Sequence, residues 1–340
     1  MSRERGLRKQ RSLRSLRSLR RIDRSALVAA SLTALSLTAS GCVVVHGERE
    51  VLPAATQAEA AKALQQFTTA YNAADKAYDS SLDAGHVTGA LSDIDAARLK
   101  AGQAGSPEGN PNYSPLELTD VTYTIVEKAG WPRWFIADAA GNKGGSSRWL
   151  LVFTRGGLDE PWEVAYLTLV APGDVPEFKK NEDGHAEAVP VDSTELAAAP
   201  GELAEQYTTY LKDGGDSVFA AGSHTSGWRT ERQEEAQKPG LATQYIDEPL
   251  TEGDYAPLAV RTKDGGALVF FTTRHYEKET AAAGTSVPTP GDDVLALTTG
   301  EIKQSLTMEF VSNEVALDPK GPGQVSILGR IQGLTSAKGE

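Results

Sequence analysis

The feature that most constrains the fold is an uncharged apolar stretch that ends at the only cysteine of the chain. Residues 25–41 carry no charge, and Cys42 follows them directly. The apolar run is about 15 residues, the length of an export-signal core and short for a bilayer-spanning helix. We therefore set residues 1–41 aside as a signal peptide. Because a single cysteine allows no intramolecular disulfide, the rest of the chain must be stabilised by a hydrophobic core.

The charge of the chain changes sign across this stretch. Residues 1–24 hold ten basic and two acidic side chains, a net charge of +8, whereas the chain from Cys42 onward holds 24 basic and 44 acidic residues, a net charge of −20. A basic segment before an apolar core stays on the cytoplasmic side, so the acidic part is expected outside the membrane. Nucleic acid is excluded as a partner because it requires a basic face. Anionic headgroups would repel so acidic a part, which favours attachment by a lipid.

The segment Ala39-Ser40-Gly41-Cys42 resembles the lipobox of bacterial lipoproteins, in which an apolar residue and two small residues precede a cysteine. This resemblance implies that Cys42 carries diacylglycerol and that a signal peptidase cleaves between Gly41 and Cys42. Two acyl chains would anchor the protein stably, at about 0.8 kcal/mol per buried methylene. With its Ala- and Gly-rich composition, the chain resembles the uncharacterised lipoproteins of actinomycetes. The implied location is the extracytoplasmic face of the cell membrane.

The exported chain is predicted to be a tether followed by two α+β segments. Residues 42–55 form the lipidated tether. In 56–185 helices precede antiparallel strands, and the same order recurs in 186–335. Phe67-Thr-Thr in the first segment matches Tyr207-Thr-Thr in the second. We therefore predict two similar halves, each with one or two helices packed on a curved antiparallel sheet.

Local signals support this order of elements. Thr56 and Glu59 have the spacing of a capping box and predict the start of the first helix. Alternating apolar residues predict strands at 118–126, 133–137, 148–154, 162–170, 258–261, 267–274, 305–317 and 324–333. Helices followed by a curved sheet resemble NTF2-like cones and cystatin-like sheets that wrap a helix. No motif specific to either family accompanies the order, so the resemblance implies a fold and no activity.

The sequence contains no constellation that indicates catalysis or metal binding. Its histidines, at 46, 86, 185, 224 and 275, lack the spacing of a helical zinc site. No Gly-x-Ser-x-Gly elbow precedes a helix. Gly141-Asn-Lys-Gly-Gly-Ser-Ser147 lacks the Gly-Lys-Ser/Thr order of a phosphate loop and is predicted to be a hairpin loop. We therefore assign no catalytic residue, cofactor or metal.

Two functions are compatible with the sequence. The absence of a catalytic constellation favours a membrane-anchored, non-catalytic module that binds a ligand or an envelope protein. The alternative is an NTF2-like enzyme for a small hydrophobic substrate, with an Asp or His facing a Tyr in an apolar pocket. The nearest candidates are Asp75 with Tyr78 and His275 with Tyr276, although Tyr78 continues an apolar helical stripe and His275 is predicted at a solvent-facing strand end. Five tryptophans are predicted in the core or on the rim of a ligand-binding face: Trp131, Trp134, Trp149, Trp162 and Trp228.

Overall fold

The computed structural model of the chain describes residues 50–215 and 218–340. The predicted signal peptide and Cys42 lie outside the described residues. The described residues form one compact unit. Its architecture is α+β, with two largely antiparallel sheets and few helices, which confirms the predicted class.

The described residues form the α-helices α1 Gln57–Ala77, α2 Gly89–Gly105, α3 Leu203–Asp213, α4 Trp228–Glu235 and α5 Asp292–Leu297. Helix α1 begins at the predicted capping box. The Thr56 hydroxyl accepts from the Glu59 N–H at 3.1 Å, and the Glu59 carboxylate accepts from the Thr56 N–H at 2.8 Å. These two bonds satisfy backbone donors that a helix start would otherwise leave unpaired. The capping box therefore fixes where the first helix starts.

The first sheet has the strand order β1-β2-β3-β4-β5, and β6 pairs with β2. Its strands are β1 Leu52–Pro53, β2 Leu118–Lys128, β3 Arg133–Gly141, β4 Arg148–Arg155, β5 Glu163–Val170 and β6 Ala186–Glu187. Strands β2 to β5 form the antiparallel meander that the sequence predicts, and Gly141–Ser147 spans its β3–β4 turn. Leu52 of β1 pairs with Lys128 at the end of β2. The described chain therefore begins beside the β2–β3 and β4–β5 turns. We call this end of the strands the tether end of the first sheet.

The second sheet has the strand order β11-β13-β12-β10-β8-β7, and β9 pairs with β10. Its strands are β7 Gln237–Lys238, β8 Leu241–Leu250, β9 Leu258–Arg261, β10 Ala267–Ala281, β11 Thr298–Gly300, β12 Ser305–Asp318 and β13 Ser326–Gly339. Strand β10 continues to Ala281, beyond the predicted end at Arg274. The reason is β8, which pairs with β10 from Thr272 onward. Polar residues occupy much of β8, so the alternation of apolar residues did not reveal it.

Apolar packing joins the helices to the sheets and the sheets to each other. Helix α1 packs on the first sheet, where Phe67 meets Phe153 edge-on with ring centroids 6.1 Å apart. Helix α3 packs on the second sheet, where Tyr207 meets Phe271 edge-on at 5.8 Å. The remaining faces of the two sheets pack together in one cluster that contains Trp134. The two sheets therefore share a hydrophobic core.

Candidate functional site

An apolar groove of about 630 Å³ opens at the tether end of the first sheet. Trp134, which is 1% exposed, forms its buried side. Val51 and Val191, 60% and 48% exposed, lie at its opening. Pro132 and Leu258 contribute further apolar lining. The residues of the groove come from the chain entry, the β2–β3 turn, the segment after β6 and the start of β9.

Local structure holds these four segments in place. The β2–β3 turn passes through Gly130 with φ 71°, a left-handed conformation that favours glycine. In β3, strand alternation directs Trp134 toward the second sheet and Phe135 toward α1. After β6, the Val189 N–H donates to the Ala259 carbonyl at 2.8 Å. This bond fixes the following Val191 at the opening of the groove.

The charged residues around the groove differ in their partners. Glu127 lies 3.2 Å from the His185 ring, and Glu187 pairs with Lys179 at 2.7 Å. Lys128 has no carboxylate within ion-pair distance in the described part of the chain. Burial, helped by the nearby Arg133 charge, lowers the pKa of Lys128. A half-buried amine without a counter-charge therefore faces an apolar opening.

Two arginines and two tryptophans stack at the same end of the sheet. The Arg133 guanidinium lies 5.2 Å from the Trp131 ring centre, and Arg155 lies 5.8 Å from Trp131 and 4.5 Å from Trp162. Arg133 also donates to the Pro53 carbonyl at 2.9 Å. These contacts tie the entering chain to both turns. Trp131 and Trp162 therefore hold guanidinium groups, whereas Trp134 lines the groove.

The structure does not bring the Asp75 carboxyl and the Tyr78 phenol of the candidate catalytic pair together. Arg98 donates to Asp75 at 2.6 Å and to Asp95 at 2.7 Å, so Asp75 belongs to an ion cluster between α1 and α2. Burial, with the Asp95 carboxyl beside it, raises the pKa of Asp83 in this cluster to about 8. Tyr78 ends α1 at φ 54°, and its ring packs against α2 at Gly102.

The prediction that His275 lies at a solvent-facing strand end is wrong. His275 is 2% exposed, because β10 continues past it and α4 covers it. Its ring stacks on Phe310 at 4.9 Å and meets Trp228 edge-on at 6.2 Å. Burial lowers the pKa of His275. Tyr276 points to the opposite face of the strand, so this candidate pair is also separated.

Glu314 on β12 is a fully buried carboxyl near His275. The Thr273 hydroxyl donates to its Oε1 at 2.7 Å, and its Oε2 has no hydrogen-bond partner in the described ranges. Burial raises the pKa of Glu314 to about 8. At neutral pH this side chain is therefore mainly a neutral acid. No local motif marks it, because Thr273 and Glu314 meet only through strand pairing.

Helix α4 adds a buried ion pair to the same region. Arg232 pairs with Asp247 at 2.8 Å, and both side chains are 6% exposed. The Trp228 ring lies between two guanidinium groups, 4.7 Å from Arg232 and 3.9 Å from Arg330. We call Trp228, Arg232, Asp247, His275, Glu314 and Arg330 the second-sheet polar centre. This centre holds α4 on the second sheet through ion pairing and aromatic stacking. Helix α1, in contrast, packs on the first sheet through apolar contacts.

Across 50–215 and 218–340, no three His, Cys, Asp or Glu side chains are grouped so that they could hold a metal ion. Over the same ranges, none of the helices has both the length and the apolar character needed to cross a membrane.

Fold and groove together define a two-sheet α+β protein with an apolar opening beside Val51, near the start of the described residues. The chain belongs to the family of the domain of unknown function DUF8094, whose profile matches residues 51–339. It is similar to an uncharacterised lipoprotein of Streptomyces coelicolor, 69% identical over 340 residues, and to one of Streptomyces avermitilis, 58% identical over 343 residues; both matches cover 100% of each chain. A second Streptomyces coelicolor uncharacterised lipoprotein is 26% identical over 223 residues, 62% of this chain and 61% of its own. No solved structure matches the chain. The relatives confirm the resemblance to uncharacterised actinomycete lipoproteins.

Proposed function

We propose that this protein is a lipoprotein anchored through Cys42 on the extracytoplasmic face of the membrane, where it binds an apolar ligand without converting it chemically. The apolar groove carries the proposal. Its volume of about 630 Å³ lies within the range of roughly 300–1,000 Å³ that small-molecule sites occupy. Its opening includes Val51, which lies within the predicted tether. The lipid anchor and the binding site are therefore adjacent along the chain.

The composition of the groove favours binding over catalysis. An NTF2-like enzyme would need an Asp or His facing a Tyr in the apolar cavity. The described lining of the groove includes neither histidine nor tyrosine. Asp75 and His275 lie instead in buried clusters that join helices to their neighbours. A ligand in the groove would thus meet mainly apolar side chains, one amine and the carboxylates of Glu127, Glu187 and Asp192.

A charged residue at the opening is expected to weaken apolar binding. Val191→Asp places a carboxylate beside a bound apolar group, which should raise the dissociation constant for N-phenyl-1-naphthylamine at least about tenfold. Binding is measured by the fluorescence gain of this probe with the chain expressed from Gly47. Ile246→Asp is the matched control, because Ile246 is 51% exposed on β8 and lies outside the groove lining. Equal affinities in the two variants would contradict the groove as the binding site.

Replacing Cys42 tests the anchor separately. Cys42→Ala removes the only thiol in the chain, so incorporation of a palmitate analogue should fall to background. The uncleaved precursor should accumulate, because the thiol must be modified before cleavage after Gly41. Gel mobility and metabolic labelling in the producing cell measure both results. Ser40→Ala keeps a small residue before the cysteine and should be processed normally. A Cys42→Ala chain that is cleaved and labelled would refute lipidation at this residue.

We also propose that the segments 56–185 and 186–335 are duplicated domains, each similar to an NTF2-like cone or a cystatin-like sheet. The support is a shared contact: an aromatic residue of the first helix meets a phenylalanine of the sheet edge-on, as Phe67 with Phe153 and Tyr207 with Phe271. The sequences that begin at Phe67 and Tyr207 are those whose similarity suggested the repeat.

A further inference from the structure

We propose that the groove holds one acyl chain of a membrane phospholipid along Trp134, with the phosphate of that lipid bound by the Lys128 ammonium. The proposal rests on the proposed function, since it names the ligand of the same groove. Three properties of the site support it: its distance from the anchor along the chain, the pairing of its charges, and its size.

The length of the tether limits how far the groove can lie from the bilayer. Val51 at the opening is nine residues after Cys42. An extended chain spans at most about 3.5 Å per residue, so about 30 Å separates the two residues at full extension. A lipid on Cys42 would hold this opening within that reach of the bilayer surface. Membrane lipids are then the apolar molecules with the highest effective concentration at the groove.

The charges select an anionic group at the opening. The lining carboxylates of Glu127 and Glu187 face His185 and Lys179, and the exposed carboxylate of Asp192 lies beyond ion-pair distance of Lys128. Lys128 lacks a carboxylate partner among the described residues, and Arg133 adds a second positive charge nearby. A partly desolvated ammonium is stabilised by an anion that accepts its hydrogen bonds. Lysine binds phosphate in this way, as a point charge. A phosphate at the head of an apolar chain supplies that anion.

The size of the groove favours a single chain over a protein partner. A volume of about 630 Å³ suits a small molecule, whereas stable protein interfaces bury roughly 1,200–2,000 Å². The interior of the groove is apolar as far as Trp134. An acyl chain in the groove would lie along the Trp134 ring. Apolar burial therefore supplies affinity, and Lys128 supplies the preference for a charged lipid.

The test uses the full-length lipidated protein in detergent micelles. Phosphatidylglycerol with dibrominated acyl chains is added, because bromine quenches the fluorescence of an indole that it touches. We expect quenching that Trp134→Phe removes, with half-saturation at about a tenfold lower mole fraction than for diacylglycerol with the same brominated chains. Lys128→Gln should abolish this preference, whereas Lys320→Gln, which removes an exposed lysine elsewhere, should behave as wild type. Val191→Asp, which alters an exposed position, should also reduce quenching and provides the test if Trp134→Phe fails to fold.

The outcomes separate this inference from the proposed function. Binding of N-phenyl-1-naphthylamine with no Trp134-dependent quenching by the brominated phospholipid would overturn the phospholipid and leave an apolar binding module. Equal quenching by the phospholipid and the diacylglycerol, unchanged in Lys128→Gln, would overturn the phosphate contact. Failure of the naphthylamine probe to distinguish Val191→Asp from Ile246→Asp would instead overturn the proposed function, and this inference with it.

Discussion

Replacing Glu314 with glutamine is expected to stabilise the protein at pH 9 and leave its stability at pH 5 nearly unchanged. Glu314 is 0% exposed, and burial raises its pKa to about 8 from an ordinary value of 4.5. Between these two values the unfolded chain loses the proton while the folded chain keeps it. The unfolded state then binds fewer protons, so the free energy of unfolding falls as the pH rises through this window. Well above pH 8 the loss is complete, and it amounts to up to about 5 kcal/mol.

Urea unfolding at pH 5, 7 and 9 measures this effect. Glutamine keeps the shape of the side chain and can still accept from Thr273, but it never ionises. Glu182→Gln is the control, because Glu182 is exposed and its replacement should leave the wild-type pH profile intact. Asp83, whose pKa burial also raises to about 8, contributes a loss of the same sign that remains in the Glu314→Gln variant. Parallel profiles for wild type and Glu314→Gln would show that the folded protein accepts the ionised carboxylate without cost.

Arg232→Met is expected to lower the free energy of unfolding by about 3–5 kcal/mol, because it leaves a buried carboxylate without its counter-charge. Asp247, the partner at 2.8 Å, is 6% exposed in its side chain. The substitution also removes the guanidinium that stacks on Trp228 and Tyr245. Methionine is long enough to fill much of the same space, so charge accounts for most of the loss. Denaturant unfolding at pH 7 gives the magnitude.

A second substitution separates charge from packing in this pair. Asp247→Leu added to Arg232→Met removes the unpaired carboxylate, and the double variant should recover most of the lost stability. Lys263→Met is the control, because it removes an ion pair on the protein surface. Its partner is Glu177, both side chains are more than 70% exposed, and pairs so exposed to solvent contribute little to stability. A double variant no more stable than Arg232→Met would mean that stacking, and not charge, holds α4 on the sheet.

Local patterns predicted the elements whose signals lie within a few residues of each other. The capping box at Thr56 and Glu59 places the start of α1, because both partners lie in one turn of helix. Strands β2 to β5 were predicted from their apolar residues, because β3 to β5 bury both faces, one against α1 and the other against the second sheet. Strand β8 was not predicted, because its apolar residues fall in adjacent pairs such as Leu241-Ala242 and Tyr245-Ile246 and do not alternate with polar ones. The burial of His275 was not predicted for the same reason, because β8 is the neighbouring strand that extends β10 past Arg274.

The groove and the second-sheet polar centre could not be predicted from local signals. Val51, Trp134, Val191 and Leu258 are far apart in the sequence and line one groove only after two sheets pack together. Each of them alone is an ordinary apolar residue of a strand or loop. Glu314 is likewise an ordinary glutamate in sequence, and its raised pKa follows from the neighbours that desolvate it.

The sequence by itself determined the α+β class, the charge step at Cys42 and the lipobox-like motif, because composition and short-range spacing suffice for these features. Tertiary structure decided where the groove opens, which of its charges are paired, and which titratable groups are buried. Pairing and desolvation depend on distances between residues that only folding brings together. Lys128 illustrates the difference: its sequence position marks the end of a strand, and only folding places its half-buried ammonium 3.5 Å from the Trp131 carbonyl with no carboxylate of the described residues in ion-pair distance.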